Sequence, residues 1–225
     1  MRTIRGQRKA CERQIVSLLQ DMVNDVLTKK DNVVFGLIGG RSVATIYKLL
    51  LHTAIPFKKI HFFMVDERAV PLDSEESNYK QAYDALLRDL KSRGVPEGNF
   101  HPYKVEEGVE KYSKEFLAIQ DHFDIVLLSA GEDAHVASLF PEHDVLNEDT
   151  PGFVQIEDSP KPPSIRITAT VPTLSKTDKA ILVMFGEGKK EALEKYLDDD
   201  TYIDNCPAKI VDLAKESYVF TDVME

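Results

Sequence analysis

The chain has 225 residues, of which 43% are apolar and 29% charged, and its 28 basic and 38 acidic residues leave a formal charge of -10. That length suits one domain with a sizeable core, here expected over residues 1–225. The acidic balance excludes a surface-wide attraction to nucleic acid or to an anionic membrane. Two cysteines exclude a disulfide scaffold and point to a reducing, cytoplasmic setting, and no apolar run is long enough to span a bilayer.

Arg2, Arg5, Arg8, Lys9 and Arg13, opposed by Glu12 alone, open the chain. No apolar segment follows at once, so this is not a secretory signal; it reads as a solvated lead-in to a helix or a short targeting arm. Ile15, Leu18, Leu19, Met22, Val23, Val26 and Leu27 then recur at helical spacing. Val33 to Ile38 predicts a buried strand, Gly39-Gly40 a turn, and Val43, Ile46, Tyr47, Leu50 and Leu51 a helix that Ser42 would cap. The pattern repeats with a strand at 60–65, a helix at 79–90, helical residues near 109–121 and a third buried strand at 125–128.

Beyond it the spacing predicts a short apolar helix over 135–140 and then an irregular Pro- and Asp-rich segment to residue 163. Ile165, Ile167, Ala169 and Val171 alternate with polar or small residues, which predicts a half-exposed strand. Residues 180–185 read as a strand, 188–197 and 207–214 as helices, and 217–221 as a last strand. Strands alternating with helices imply an α/β fold, a mainly parallel sheet covered by helices on both faces. Ligands of such sheets sit outside the carboxyl ends of the strands, so the polar residues just after strands are the candidates for chemistry.

Three of these loops stand out. Gly39-Gly40-Arg41-Ser42 could bring backbone amides up to an anion, or be only a tight turn; it has neither of the common nucleotide-loop spacings. Asp66-Glu67-Arg68, with Asn78 further on, could bind sugar hydroxyls and, through Arg68, a phosphate or developing oxyanion; equally, Asn78 could cap the next helix. In the third, His135 follows a strand, with Asp133 two residues earlier and able to orient the imidazole as a general base. Arg166 and Lys189 add two cations near strand ends. His135, His143 and Asp144 have no familiar metal-site spacing, and no Gly-x-Ser-x-Gly elbow is present.

Gly39-Gly40-Arg41-Ser42, Asp66-Glu67-Arg68 with Ser77-Asn78-Tyr79, the run Asp133-Ala134-His135-Val136-Ala137-Ser138-Leu139-Phe140-Pro141, Arg166-Ile167-Thr168 and Gly188-Lys189 resemble, in identity and order, the glucosamine-6-phosphate isomerase/6-phosphogluconolactonase family, on its lactonase side. The resemblance implies the three-layer sandwich of that family. It also implies hydrolysis of 6-phospho-D-glucono-1,5-lactone in the oxidative pentose phosphate pathway, without cofactor or metal; whether the chain is a monomer or homodimer stays open. By it, His135 corresponds to the base, Gly39, Gly40, Arg41 and Ser42 to the sugar-phosphate end, and Arg166 and Lys189 to the phosphate cations. Ser129 and Ala134 stand where the family usually has Gly, and Val43 where it has Pro. A Gly at 134 would serve a positive φ or a close substrate approach.

Two other functions compete. A glucosamine-6-phosphate deaminase or isomerase would share the fold, but that group typically has Asp-Glu-Tyr where Arg68 stands and a different continuation after the histidine. A sugar-phosphate sensor would keep the cations and lose the base, whereas His135 is present.

Overall fold

A computed structural model describes residues 2–224. The basic opening is not a solvated lead-in. Arg2–Arg5 form strand β1, paired in parallel with the last strand of the chain. Ile4 packs against the core while Arg2 and Arg5 lie exposed on the outermost strand, where charge discourages further edge pairing. Helix α1 (Arg8–Leu27) buries the expected stripe of Ile15, Leu19, Met22, Val23 and Val26, and begins a turn early with an Arg8–Glu12 ion pair of 3.0 Å.

There follow β2 (Val33–Leu37), α2 (Ala44–Leu50), β3 (Ile60–Met64), β4 (Asp66–Arg68) and α3 (Asn78–Ala82), which runs through a π turn into α4 (Arg88–Ser92). Next come β5 (Phe100–His101), α5 (Gly108–Leu117), β6 (Ile125–Ser129), β7 (Phe153–Ile156), β8 (Arg166–Ala169) and α6 (Val171–Ser175). The described chain ends with β9 (Lys179–Met184), α7 (Lys190–Leu197), 3-10 turns over Pro207–Leu213 and β10 (Glu216–Thr221). Strands β4, β5 and β7 were not expected, and Asp66-Glu67-Arg68, read as a loop, is a strand paired with β8. β5 is two residues long, and β7 lies in the stretch whose prolines and aspartates masked it.

Seven strands form one parallel sheet in the order β1-β10-β9-β6-β2-β3-β5. β2 is buried at every position, as a strand covered on both faces must be. The chain adds strands in one direction from β2 to β5 and in the other from β6 to β10. Right-handed crossovers therefore put α1 to α4 on one face and α5 and α7 on the other, and α1 packs on α2 accordingly. Adjacent strands β2 and β6 send their following loops apart, and a crevice opens between them.

A second, antiparallel sheet, β4-β8-β7, caps this crevice. Strand β8 was expected to be half exposed, yet Arg166, Ile167, Thr168 and Ala169 are all buried. It is the middle strand of its sheet, and its polar residues are used internally: the Ser138 amide donates to Thr168 Oγ1 and Arg166 holds a loop. Alternation therefore marked two buried faces of different chemistry.

The expected helix over 135–140 is also absent. Its place is taken by tight turns with a bridge between Val136 and Leu139 and positive φ at Ala134 (70°) and Ala137 (53°), which an α-helix forbids. Val136, Leu139 and Phe140 are apolar because they plug the core under the crevice. Ser42 does not cap α2; its hydroxyl hydrogen-bonds that of Ser129 at 3.2 Å.

Glu67 joins the two sheets to α3. Its buried carboxylate accepts from the amides of Arg68 (2.7 Å), Asn78 (2.7 Å) and Tyr79 (2.6 Å) and from the Ser77 hydroxyl (3.0 Å). Burial pushes this carboxyl up to about 7 even against those donors. Ser77, not Asn78, caps the helix by accepting from the Lys80 amide. Glu67→Ala would orphan four donors and is expected to cost at least about 3 kcal/mol, measured by urea denaturation.

Candidate active site

The crevice is a cleft of about 340 Å³. Gly39, Gly40 and Ser42 reach it from the end of β2, Asp66, Arg68 and Asn78 from beyond β3, and Ser129, Gly131, Glu132 and His135 from β6. Lys161 and Arg166 join them from the capping sheet and Lys189 from the end of β9. Strand ends far apart in sequence thus converge on one volume. Of the residues expected to bind substrate, only Arg41 lies elsewhere, in an adjoining cavity with Lys48, Glu75 and Asp84.

Asp133 and His135 are in contact: Asp133 Oδ1 lies 2.5 Å from His135 Nδ1. An ionised carboxylate accepts only, so Nδ1 carries the proton and Nε2 is the nitrogen left for a water molecule. Burial raises the Asp133 carboxyl, but hydrogen bonds and charge from His135 and Lys161 outweigh it and hold the group well below the usual carboxylate range. The His135 ring also packs against Phe140, centroids 4.7 Å apart.

The geometry of this loop explains two small residues. A Cβ at Gly131 would overlap the His135 imidazole and the Asp133 carboxylate. Ala134 has the left-handed conformation that a glycine would adopt without strain. Its methyl is fully buried, so a glycine here would relieve the backbone angle without opening space to the cleft.

Asn78 donates from Nδ2 to the Asp66 carbonyl (3.0 Å) and carboxylate (3.2 Å), and a Cβ at Gly39 would strike it. Asp66 in turn accepts from the Ser138 hydroxyl at 2.8 Å. Arg68 donates through Nη1 to the Glu76 carbonyl at 2.7 Å, and its buried Nε has no partner among the described residues. Several nearby amides are already used: Gly131 N–H donates to the His135 carbonyl, Ala130 N–H to Val183, and Gly40 N–H to the Gln81 side chain.

Arg166 is largely committed to the protein. Its Nε donates to the Pro163 carbonyl (3.0 Å) and Nη2 to those of Lys161 (3.1 Å) and Pro162 (3.0 Å), leaving Nη1 with one long contact to Ser138 at 3.5 Å. Lys189 lines the cleft, and burial lowers its ammonium from the ordinary lysine value despite Glu132 and Asp133 nearby. Sequence reasoning missed Lys161 and Glu132. Lys161 sits in the Pro-rich stretch taken as irregular, where only its place before Pro162-Pro163 hinted at a fixed loop.

His122, Asp124 and Asp178 form an acidic group that could surround a cation, at the opposite ends of β6 and β9. Lysines already pair with its carboxylates, Lys30 with Asp124 at 2.8 Å and Lys215 with Asp178 at 2.5 Å. His143 instead pairs with Asp158, so it does not join His135 in a ligand set.

The family model described as glucosamine-6-phosphate isomerases/6-phosphogluconolactonase matches residues 6–220. The chain belongs to this family. It is 32% identical to a 6-phosphogluconolactonase of Borreliella burgdorferi over 209 residues, covering 90% of this chain and 89% of that protein. It is also 32% identical to the 6-phosphogluconolactonase of Thermotoga maritima over 189 residues, 82% of this chain and 84% of the other. The crystal structure of the Thermotoga maritima enzyme superimposes with a TM-score of 0.85 at 28% identity over 98% of both chains. The α/β fold expected from the resemblance is therefore the fold of the family. No helix among the described residues is long and apolar enough to cross a membrane.

Two predictions test the loop. Gly131→Ala is expected to lower the turnover of the family reaction about tenfold or more with the fold intact by circular dichroism, because it displaces the imidazole. Ala134→Gly is expected to change stability by less than about 1 kcal/mol in chemical denaturation, relief of the left-handed angle being offset by the lost methyl and the looser unfolded chain.

Proposed function

We propose that this chain hydrolyses 6-phospho-D-glucono-1,5-lactone to 6-phosphogluconate, the lactone-opening step of the oxidative pentose phosphate pathway, with His135 as general base. The observation that carries the reading is the Asp133–His135 contact in a cleft that also holds cations from three other segments. Relatives at about one-third identity along most of their length carry the lactonase name.

The lactone needs a base, an oxyanion partner and an anchor for its phosphate. Water attacks the carbonyl carbon while Nε2 of His135 takes its proton. Negative charge gathers on the former carbonyl oxygen, and Arg68 is the partner assigned to it. As the tetrahedral carbon collapses, its bond to the ring oxygen breaks and the imidazolium returns its proton to that oxygen. Asp133 stays ionised throughout, holding Nδ1–H and stabilising the transient imidazolium.

Lys189 and the remaining donor of Arg166 serve the phosphate, with the Gly39–Ser42 turn beside them. Asp66 and Asn78 are placed for sugar hydroxyls. No redox group or metal enters these steps. Every named group comes from one chain, the protein is read as a monomer or homodimer, and the whole of 1–225 is read as one domain. A cytoplasmic setting fits Cys11 and Cys206, both buried and unpaired.

The test is a coupled assay that generates the lactone in situ and compares wild type, His135→Ala and buffer alone, since the lactone also opens spontaneously. His135→Ala is expected to lose roughly a hundredfold or more of the enzymatic rate. Full retention would reject the base. Ammonia release from glucosamine 6-phosphate by wild type would move the chain to the isomerase side of its family. Binding of the phosphosugar with no rate above buffer would make it a sensor.

A further inference from the structure

Lys161 lies in the loop between β7 and β8, outside every motif that the sequence singled out. Its Nζ is 3.0 Å from Asp133 Oδ2 and 3.3 Å from His135 Nδ1. Asp133 therefore has one oxygen on the imidazole and the other on an ammonium. This matters because rotation about the bond to a carboxylate is broad and soft, and Asp133 is only partly buried, so packing alone does not set its plane. A second anchor on Oδ2 does.

The backbone that carries the ammonium is itself held. The Lys161 amide donates to Ser159 Oγ and its carbonyl accepts from Ser159 Oγ (2.9 Å) and from Arg166 Nη2 (3.1 Å). Arg166 also grips the next two carbonyls, those of Pro162 and Pro163. The buried guanidinium thus fixes the backbone that presents Lys161, and its one loosely engaged nitrogen is on the cleft. A path of direct contacts runs from Arg166 through Lys161 and Asp133 to His135.

We propose that Lys161 is a positioning residue for catalysis, a cation that locks the second oxygen of Asp133 and so fixes the orientation of the His135 imidazole. The proposal rests on His135 being the base. Nδ1 already gives its proton to Asp133, so Lys161 donates to the carboxylate and acts on the ring only by charge. Asp133 favours the imidazolium and Lys161 opposes it. The other charged groups around the cleft are Glu132 from the same loop, Arg166 from β8, Lys189 after β9, and Asp66 and Arg68 from β4.

The experiment is steady-state kinetics of lactone hydrolysis against pH for wild type, Lys161→Met, Lys161→Arg and His135→Ala, each corrected for the buffer rate. Lys161→Met is expected to lower kcat about tenfold to a hundredfold with KM little changed. Its acid limb in kcat/KM should move to higher pH, because loss of a nearby positive charge stabilises the imidazolium. Lys161→Arg should restore most of the turnover and return the limb toward wild type.

A Lys161→Met variant with wild-type kcat and an unmoved acid limb overturns the proposal. A rise in KM alone also overturns it, since that would make Lys161 a contact for the substrate's phosphate. His135→Ala separates the two ideas. Full activity in that variant rejects the base reading itself, whereas its loss alongside a normal Lys161→Met rejects only the role of Lys161.

Discussion

The cleft depends on a topological constraint. Parallel strands end together, and the order of this sheet reverses between β2 and β6, so the connections after those two strands run apart. The gap is filled by function. Gly39 and Ser42 come from one side and Gly131 and His135 from the other, with the β4-β8-β7 sheet closing over them. Buried strands make this arrangement stiff, and stiffness is what a general base requires: its nitrogen must stay within hydrogen-bond reach of a water on the substrate.

Around that opening the polar groups are arranged in pairs that share their loads. Asp66 takes Asn78 and Ser138, Glu67 takes the start of α3, and Asp133 takes His135 and Lys161. Asp66 and Asp133 in this way connect segments well apart in sequence. The acidic surplus of the whole chain therefore says little about the cleft, where Arg68, Lys161, Arg166 and Lys189 meet. Under the proposed function, that local set of cations is what would draw an anionic substrate inside an acidic exterior.

Much of this was legible in the residues. The helical stripe from Ile15, the buried strands at β2, β3 and β6, and the strand-end positions of Asp66, Arg68 and His135 all follow from periodicity and order. What failed did so for physical reasons. The 135–140 segment has helix-like apolar spacing because it fills core beneath the cleft, while its left-handed alanines rule out a helix. β8 alternates because one face packs and the other serves the site, so polarity did not mean exposure. Lys161 was invisible because its role depends on Arg166 folding a Pro-rich loop back onto Asp133, a contact that no local pattern encodes.

General-base action by His135 requires Nε2 to be the unprotonated imidazole nitrogen. Nitrogen-15 NMR of His135 in the resting enzyme, recorded on the alkaline side of the ordinary imidazole range of about 6.5, observes this directly. A proton on Nδ1, bonded to Asp133, with Nε2 unprotonated is the predicted result. A proton on Nε2 with Nδ1 bare would contradict it, because the nitrogen left for water would then have no lone pair to offer.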